Sequence, residues 1–288
     1  MKTPSPSPLD LRLGLNRGVL RKTLSVLAPL FACATLSHAT VLLQENFNSL
    51  STGDLNGQNL WTADAGLDVA AGGLSYNSGT LSIAGGSKHA TWSGISIQPL
   101  GSKTFASQSG EVWFSLTINV SAADTASKFW FYVSDDADLA NSGVIGKIND
   151  NSNALLTGYR AGSTQYPSTG TSLNIGSTLF IVGRFSQTGV SSTVGDYDKM
   201  EMWVNPDSTT LGVAFTATNA TGSGISTGID TFALTAVGTG STVLWDNLLI
   251  GTSQADVLDV YAIPEPSTYA AFGGLAALGL ATLRRRRG

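Results

Sequence analysis

The chain has 288 residues, 16 of them basic and 20 acidic, for a net charge of −4, with one cysteine and two histidines. That length admits one large domain or two small ones. Cys33 and His38 both fall in the first 39 residues, so the rest of the chain keeps only His89; zinc sites built from Cys and His are excluded there, and any Ser–His–Asp device depends on that one histidine.

The N-terminal segment carries Arg12, Arg17, Arg21 and Lys22, then an apolar stretch from Leu24 to Leu36, then Ser37-His38-Ala39. This order predicts a helical signal peptide over residues 1–39, cut by signal peptidase between Ala39 and Thr40. A lipoprotein signal at Leu30-Phe31-Ala32-Cys33 is the alternative, but Phe31 is bulky where a small residue is expected. Between Thr40 and Ile263 there are seven basic and 18 acidic residues, a net charge of −11. Such a body repels nucleic acid and anionic lipid, so DNA and RNA are not expected partners.

No helical periodicity is evident across residues 40–262. Short β-branched and aromatic runs alternate there with Gly, Ser, Asn and Asp. The expected strands are Val41–Phe47, Thr80–Ala84, Ala90–Trp92, Glu111–Val120, Lys128–Ser134 and Val144–Ile148. They continue as Leu155–Arg160, Thr178–Ser186, Asp198–Asn205, Val213–Ala217, Ile229–Leu234 and Val243–Ile250. Regular strands with polar turns predict a single all-β sandwich domain. Gly72-Gly73 and Gly85-Gly86 read as turns, not as a phosphate loop, because no helix is expected after them.

Alternation assigns faces, since successive strand side chains point to opposite sides. Val112, Phe114, Leu116, Ile118 and Val120 share one face; Glu111, Trp113, Ser115, Thr117 and Asn119 share the other. Phe129, Phe131 and Val133 oppose Lys128, Trp130, Tyr132 and Ser134. Met200, Met202 and Val204 oppose Tyr197, Lys199, Glu201 and Trp203. A Trp on a polar face suits stacking against a pyranose, with charged neighbours bonding the hydroxyls. Trp113, Trp130, Tyr132 and Trp203 are therefore candidate sugar-stacking residues, with Lys199 and Glu201 as polar partners. The competing reading places these rings under a loop or in a second core layer. Trp61, Trp92 and Trp245 are expected in the core, and His89 on the surface.

The chain ends in Pro264-Glu265-Pro266, an apolar run from Tyr269 to Leu283, and Arg284, Arg285, Arg286 and Arg287. The prolines keep the tripeptide extended. A helix over the apolar run would be about 22 Å long, short of the ~30 Å hydrocarbon core, and the arginines would stay cytoplasmic. Residues 263–288 closely resemble the PEP-CTERM sorting signal of exported bacterial proteins. The resemblance implies a short transmembrane helix that holds the precursor at the inner membrane. An exosortase would then act near Pro264–Pro266, sending the protein to the cell surface or extracellular matrix.

A second resemblance rests on Lys199-Met-Glu-Met-Trp-Val-Asn-Pro206 and Leu244-Trp-Asp-Asn-Leu-Leu-Ile-Gly251. Both are similar to closing strands of laminin-G-like, concanavalin A-like jelly rolls, which implies that fold and polysaccharide as a partner. It also implies calcium in some members; the candidate ligands are Asp135, Asp136, Asp138, Asp196 and Asp198. None of them fits an EF-hand loop, and local backbone bonding in turns is their simpler reading. No other cofactor is expected. The same fold class houses glycoside hydrolases, whose laminarinase-like members carry an E-x-D-x-x-E pattern. Here Asp196-Tyr-Asp198-Lys-Met-Glu201 lacks the leading Glu, and Asp198 and Glu201 fall on opposite strand faces. The expected role is thus non-catalytic, in glycan binding or envelope structure, with glycoside hydrolysis as the alternative.

Overall fold

The computed structural model describes residues 40–93, 100–122, 128–135, 141–147, 154–161, 164–189, 197–218, 228–237 and 242–263. The signal segment, Asp136, Asp138, Asp196 and everything from Pro264 onward lie outside them. The first strands are β1 (Val41–Glu45), β2 (Gly53–Asp54), β3 (Thr62–Ala63), β4 (Leu67–Ala71), β5 (Tyr76–Ser78) and β6 (Leu81–Ile83). Next come β7 (Lys88–Ser93), β8 (Leu100–Gln108), β9 (Val112–Ala122), β10 (Lys128–Ser134), β11 (Asn141–Lys147) and β12 (Ala154–Ala161). The last are β13 (Thr164–Ser172), β14 (Thr178–Ser186), β15 (Lys199–Val204), β16 (Phe215–Thr218), β17 (Ile229–Val237) and β18 (Thr242–Gly251). A single helical turn and a half, α1 (Gln254–Leu258), runs into a 3-10 turn over Asp259–Tyr261.

Two large antiparallel sheets form, and β5 and β6 pair separately as a two-stranded hairpin. Sheet A orders its strands β16-β15-β14-β9-β18-β7-β4-β2, with β1 also on β18; sheet B orders them β13-β12-β11-β10-β17-β8-β3. The chain passes from sheet to sheet as it goes from β7 to β8, β9 and β10, and again through β16, β17 and β18. That alternation between facing sheets is the jelly-roll sandwich expected above. All described residues fall within one compact unit.

The main core lies between the sheets and follows the strand period. Val112, Phe114, Leu116, Ile118 and Val120 of β9 meet Phe129, Phe131 and Val133 of β10, with Trp61, Trp92 and Trp245 buried among them. One charged pair enters this layer. Glu45 accepts from Lys103 Nζ at 2.8 Å, Trp61 Nε1 at 3.1 Å, Asn59 Nδ2 at 2.9 Å and the Phe47 amide at 2.9 Å. Burial alone would raise the Glu45 pKa, but those hydrogen bonds and the Lys103 charge outweigh it and hold the carboxyl below its ordinary value.

A second apolar layer covers the outer face of sheet A. The β5–β6 hairpin contributes Tyr76, Leu81 and Ile83, the C-terminal turn contributes Val257 and Leu258, and the sheet contributes Trp113, Phe180, Val182, Trp203 and Leu249. A bulge in β18 ties this layer down. Asn247 adopts φ +55°, and the register on β9 shifts between Asp246 and Leu249. Asp246 Oδ2 thereby accepts the Leu74 amide at 2.9 Å, while Asn247 Nδ2 donates to the Leu74 carbonyl at 2.9 Å. The two glycine pairs lie back to back beside it: a Cβ on Gly73 would sit 2.2 Å from the Gly86 amide nitrogen.

Several expectations about the fold need correction. Helix α1 was not legible as a periodic stretch; at five residues it is too short to show a period. Strands β2, β3, β4, β5, β8 and β13 are absent from the expected set: the first four are only two to five residues long, and LGSKTFASQ and TQYPSTGTS are dominated by small and polar residues. His89 is buried, its Nδ1 against the Gly72 carbonyl. Tyr197 does not share a face with Lys199, because the alternation breaks at Asp198 ahead of β15 and turns the ring into the main core.

Candidate functional site

The six candidate binding residues separate onto two surfaces. Trp113, Lys199, Glu201 and Trp203 gather on the outer face of sheet A; Trp130 and Tyr132 lie on the outer face of sheet B.

On sheet A, β14 runs between β9 and β15, and its register sets Arg184 opposite both Trp113 and Glu201. The two indoles stack across β14 with centroids 5.7 Å apart and planes 10° from parallel. The Arg184 guanidinium carbon lies 5.2 Å from the centroid of the Trp113 ring. Arg184 Nε donates to Glu201 Oε2 at 2.7 Å, and Lys199 Nζ lies 2.9 Å from Glu201 Oε1. Burial pushes the Glu201 carboxyl up, but Lys199 and Arg184 more than offset this and hold it below the usual range. Both indole N–H groups are satisfied, Trp113 by Glu111 at 3.1 Å and Trp203 by the Gly212 carbonyl at 2.8 Å. These rings pack in one layer with Tyr76, Leu81 and Ile83 of the hairpin and Val257 and Leu258 of α1, and so belong to the second core layer. The open stacking platform expected around Trp113 and Trp203 is therefore corrected: period 2 gives the face, and the hairpin and α1 cover it. Arg184, which completes this cluster, is not among the sequence candidates; a lone Arg inside the apolar run TLFIVGRFS is the signal that marks it.

On sheet B, Trp130 and Tyr132 are two apart on β10, and their rings lie 6.4 Å apart at 30°. Both rings are buried, at 5% and 1% exposure. Among the described residues, the apolar ones packed on them are Val144, Ala233, Leu100 and Leu156, all of the same sheet. Thr235 of β17 and Gly146 of β11 flank Trp130 in register. The buried Trp130 indole N–H meets no acceptor among the described residues.

Of the metal candidates, Asp135 and Asp198 are described. Asp198 is buried, and its Oδ1 accepts the Thr188 amide at 2.6 Å and the Thr188 hydroxyl at 2.8 Å, so it locks a turn. Among the described residues no group of three His, Cys, Asp or Glu side chains is placed to hold a metal ion. Nor is any described helix long and apolar enough to cross a membrane; the Tyr269–Leu283 run lies outside them.

Comparison with known proteins bears on both the tail and the body. No curated protein sequence matches the chain. Among solved structures, the chain is similar to an endo-β-1,4-glucuronan lyase from Trichoderma reesei, at 13% identity and TM-score 0.47, over 76% of this chain and 98% of that one. A carbohydrate-binding module of the evolved Dit protein of Lactobacillus casei phage J-1 matches at 16% identity and TM-score 0.46, over 74% and 95%. The module CBM66 from Bacillus subtilis matches at 10% identity and TM-score 0.39, over 67% and 95%. Those values are low, and the sandwich assignment rests on the strand pairing itself. Residues 262–287 match the PEP-CTERM protein-sorting motif. The chain therefore carries the sorting signal that its tail resembles, which marks it as an exported, surface-directed protein and implies handling by an exosortase-type enzyme.

Proposed function

We propose that the exported domain is a non-catalytic glycan-binding module of the cell envelope or exopolysaccharide, and that saccharide packs on the outer face of sheet B around Trp130 and Tyr132. One observation carries this reading: Trp130 and Tyr132 lie side by side on the outer face of sheet B, and the described apolar residues packed on them all belong to that sheet. An indole and a phenol ring in one layer offer flat apolar faces suited to pyranose C–H groups, with polar tips for the hydroxyls.

A non-catalytic role draws support from the carboxylates. Glu201 is engaged by Arg184 and Lys199, and Asp198 by Thr188, which suits anchoring better than proton transfer at a glycosidic bond. The test is a titration of the exported protein with a panel of envelope and plant polysaccharides. Trp130→Ala is expected to weaken saturable binding at least tenfold while leaving the folded state intact. If that variant unfolds instead, Trp130 is core, and the reading fails.

A further inference from the structure

The sorting motif begins inside the fold. Its first matched residue, Ala262, forms an antiparallel bridge with Leu81 of the β5–β6 hairpin, and the Ile263 amide donates to the Thr80 carbonyl at 2.7 Å. The residues just before are equally committed. Val257 and Leu258 are fully buried in the second layer, and Ser115 Oγ donates to the Val257 carbonyl at 2.9 Å. The Tyr261 ring meets Phe180 edge-on at 5.6 Å, and its hydroxyl donates to the Asn247 carbonyl at 3.3 Å. Asp256 Oδ2 accepts the amides of Thr252 and Ser253 at 2.7 and 2.8 Å and so fixes the start of α1. The chain cannot slide here to release slack.

The proline chemistry sharpens the conflict. Pro264 and Pro266 have no N–H, so the tripeptide itself offers one backbone donor, that of Glu265. An enzyme that seats a peptide in extended form pairs with its backbone. The nearest donors upstream belong to Ile263 and Ala262, and these already serve Thr80 and Asp259. One N–H cannot serve both partners at full strength.

We propose that the β5–β6 hairpin is a latch on the sorting segment, and that the sorting enzyme must peel Ala262 and Ile263 from it before it can engage Pro264–Pro266. The proposal rests on the sorting-motif assignment. It makes tail removal depend on the fraction of molecules whose last two residues have come away, and it keeps everything through Ile263 in the mature domain.

The test follows tail loss from full-length precursor in the producing cell by pulse–chase and intact mass. A Gly-Ser-Gly-Ser spacer between Ile263 and Pro264 leaves the latch closed but supplies free donors beside the motif. It is expected to speed tail loss about tenfold, the factor for one backbone hydrogen bond no longer in competition. The same spacer between Pro266 and Ser267 lengthens the tail equally and is expected to keep the parent rate. If the first spacer leaves the rate unchanged or lowers it, or if both spacers speed it alike, there is no latch. If no chain, parent or variant, ever loses its tail, processing at the motif fails and the latch fails with it.

Discussion

Replacing Leu258 by Ala removes a side chain with no solvent exposure from the layer between α1, the β5–β6 hairpin and sheet A. Burial on this scale makes a Leu→Ala change cost about 2–5 kcal/mol, and the site has little room to collapse, because Ser115 pins the neighbouring Val257 carbonyl. A central value of about 3 kcal/mol, in a domain where each kcal/mol shifts Tm by about 2–4 °C, predicts a drop of about 6–12 °C. Scanning calorimetry on the exported protein and its Leu258→Ala variant measures it directly. A drop under about 2 °C would refute the reasoning, because α1 would then be an appendage and not part of the fold. The same loss should loosen the chain just ahead of the sorting motif.

Other perturbations test other layers. Lys103→Met strands the Glu45 carboxylate between the sheets and is expected to cost about 3–5 kcal/mol by urea unfolding, while Lys103→Met with Glu45→Gln should recover part of that loss. Gly183→Ala would place a methyl 2.2 Å from the Phe114 ring, and an overpacking loss of about 1–3 kcal/mol should appear as a lower urea midpoint. Burial pushes the Asp246 pKa up to about 6 from an ordinary 3.8, even though the Leu74 and Asn247 amides oppose it. A raised folded-state pKa means the native state holds the proton more tightly. This group's contribution is therefore fully present below about pH 4 and is lost as pH rises through about 6, by at most about 3 kcal/mol. The difference in Tm between parent and Asp246→Asn should follow that window, and a difference flat from pH 4 to 7 would contradict the assignment.

The sequence carried the sandwich and its faces further than it carried the site. Strict alternation in β9 and β10 put Phe114, Ile118, Phe129 and Phe131 where the main core needs them. It could not show what lies on the opposite face. Trp113 and Trp203 sit on the expected side of sheet A, but the hairpin and α1 that bury them come from residues distant in sequence. A local signal for α1 was present: Ser253 and Asp256 have capping-box spacing, and both halves of that box form. The burial of His89 had no such signal, since it depends on the Gly72 carbonyl brought near by pairing of β4 with β7. At the C-terminus the chemistry is ordered along the chain, as Pro-Glu-Pro, apolar run and basic cluster, so it is legible without any fold.

The most direct test sets the two aromatic faces against each other in one binding and melting experiment on the exported protein. The account predicts that Trp130→Ala abolishes saturable polysaccharide binding by the molecules that stay folded, whatever the change in Tm. It predicts that Trp203→Ala lowers Tm by several degrees, as loss of a buried indole costs about 3–5 kcal/mol, while the affinity of the folded fraction is kept. Loss of affinity at Trp203 with Trp130 affecting stability alone would contradict the account and move the glycan site to sheet A.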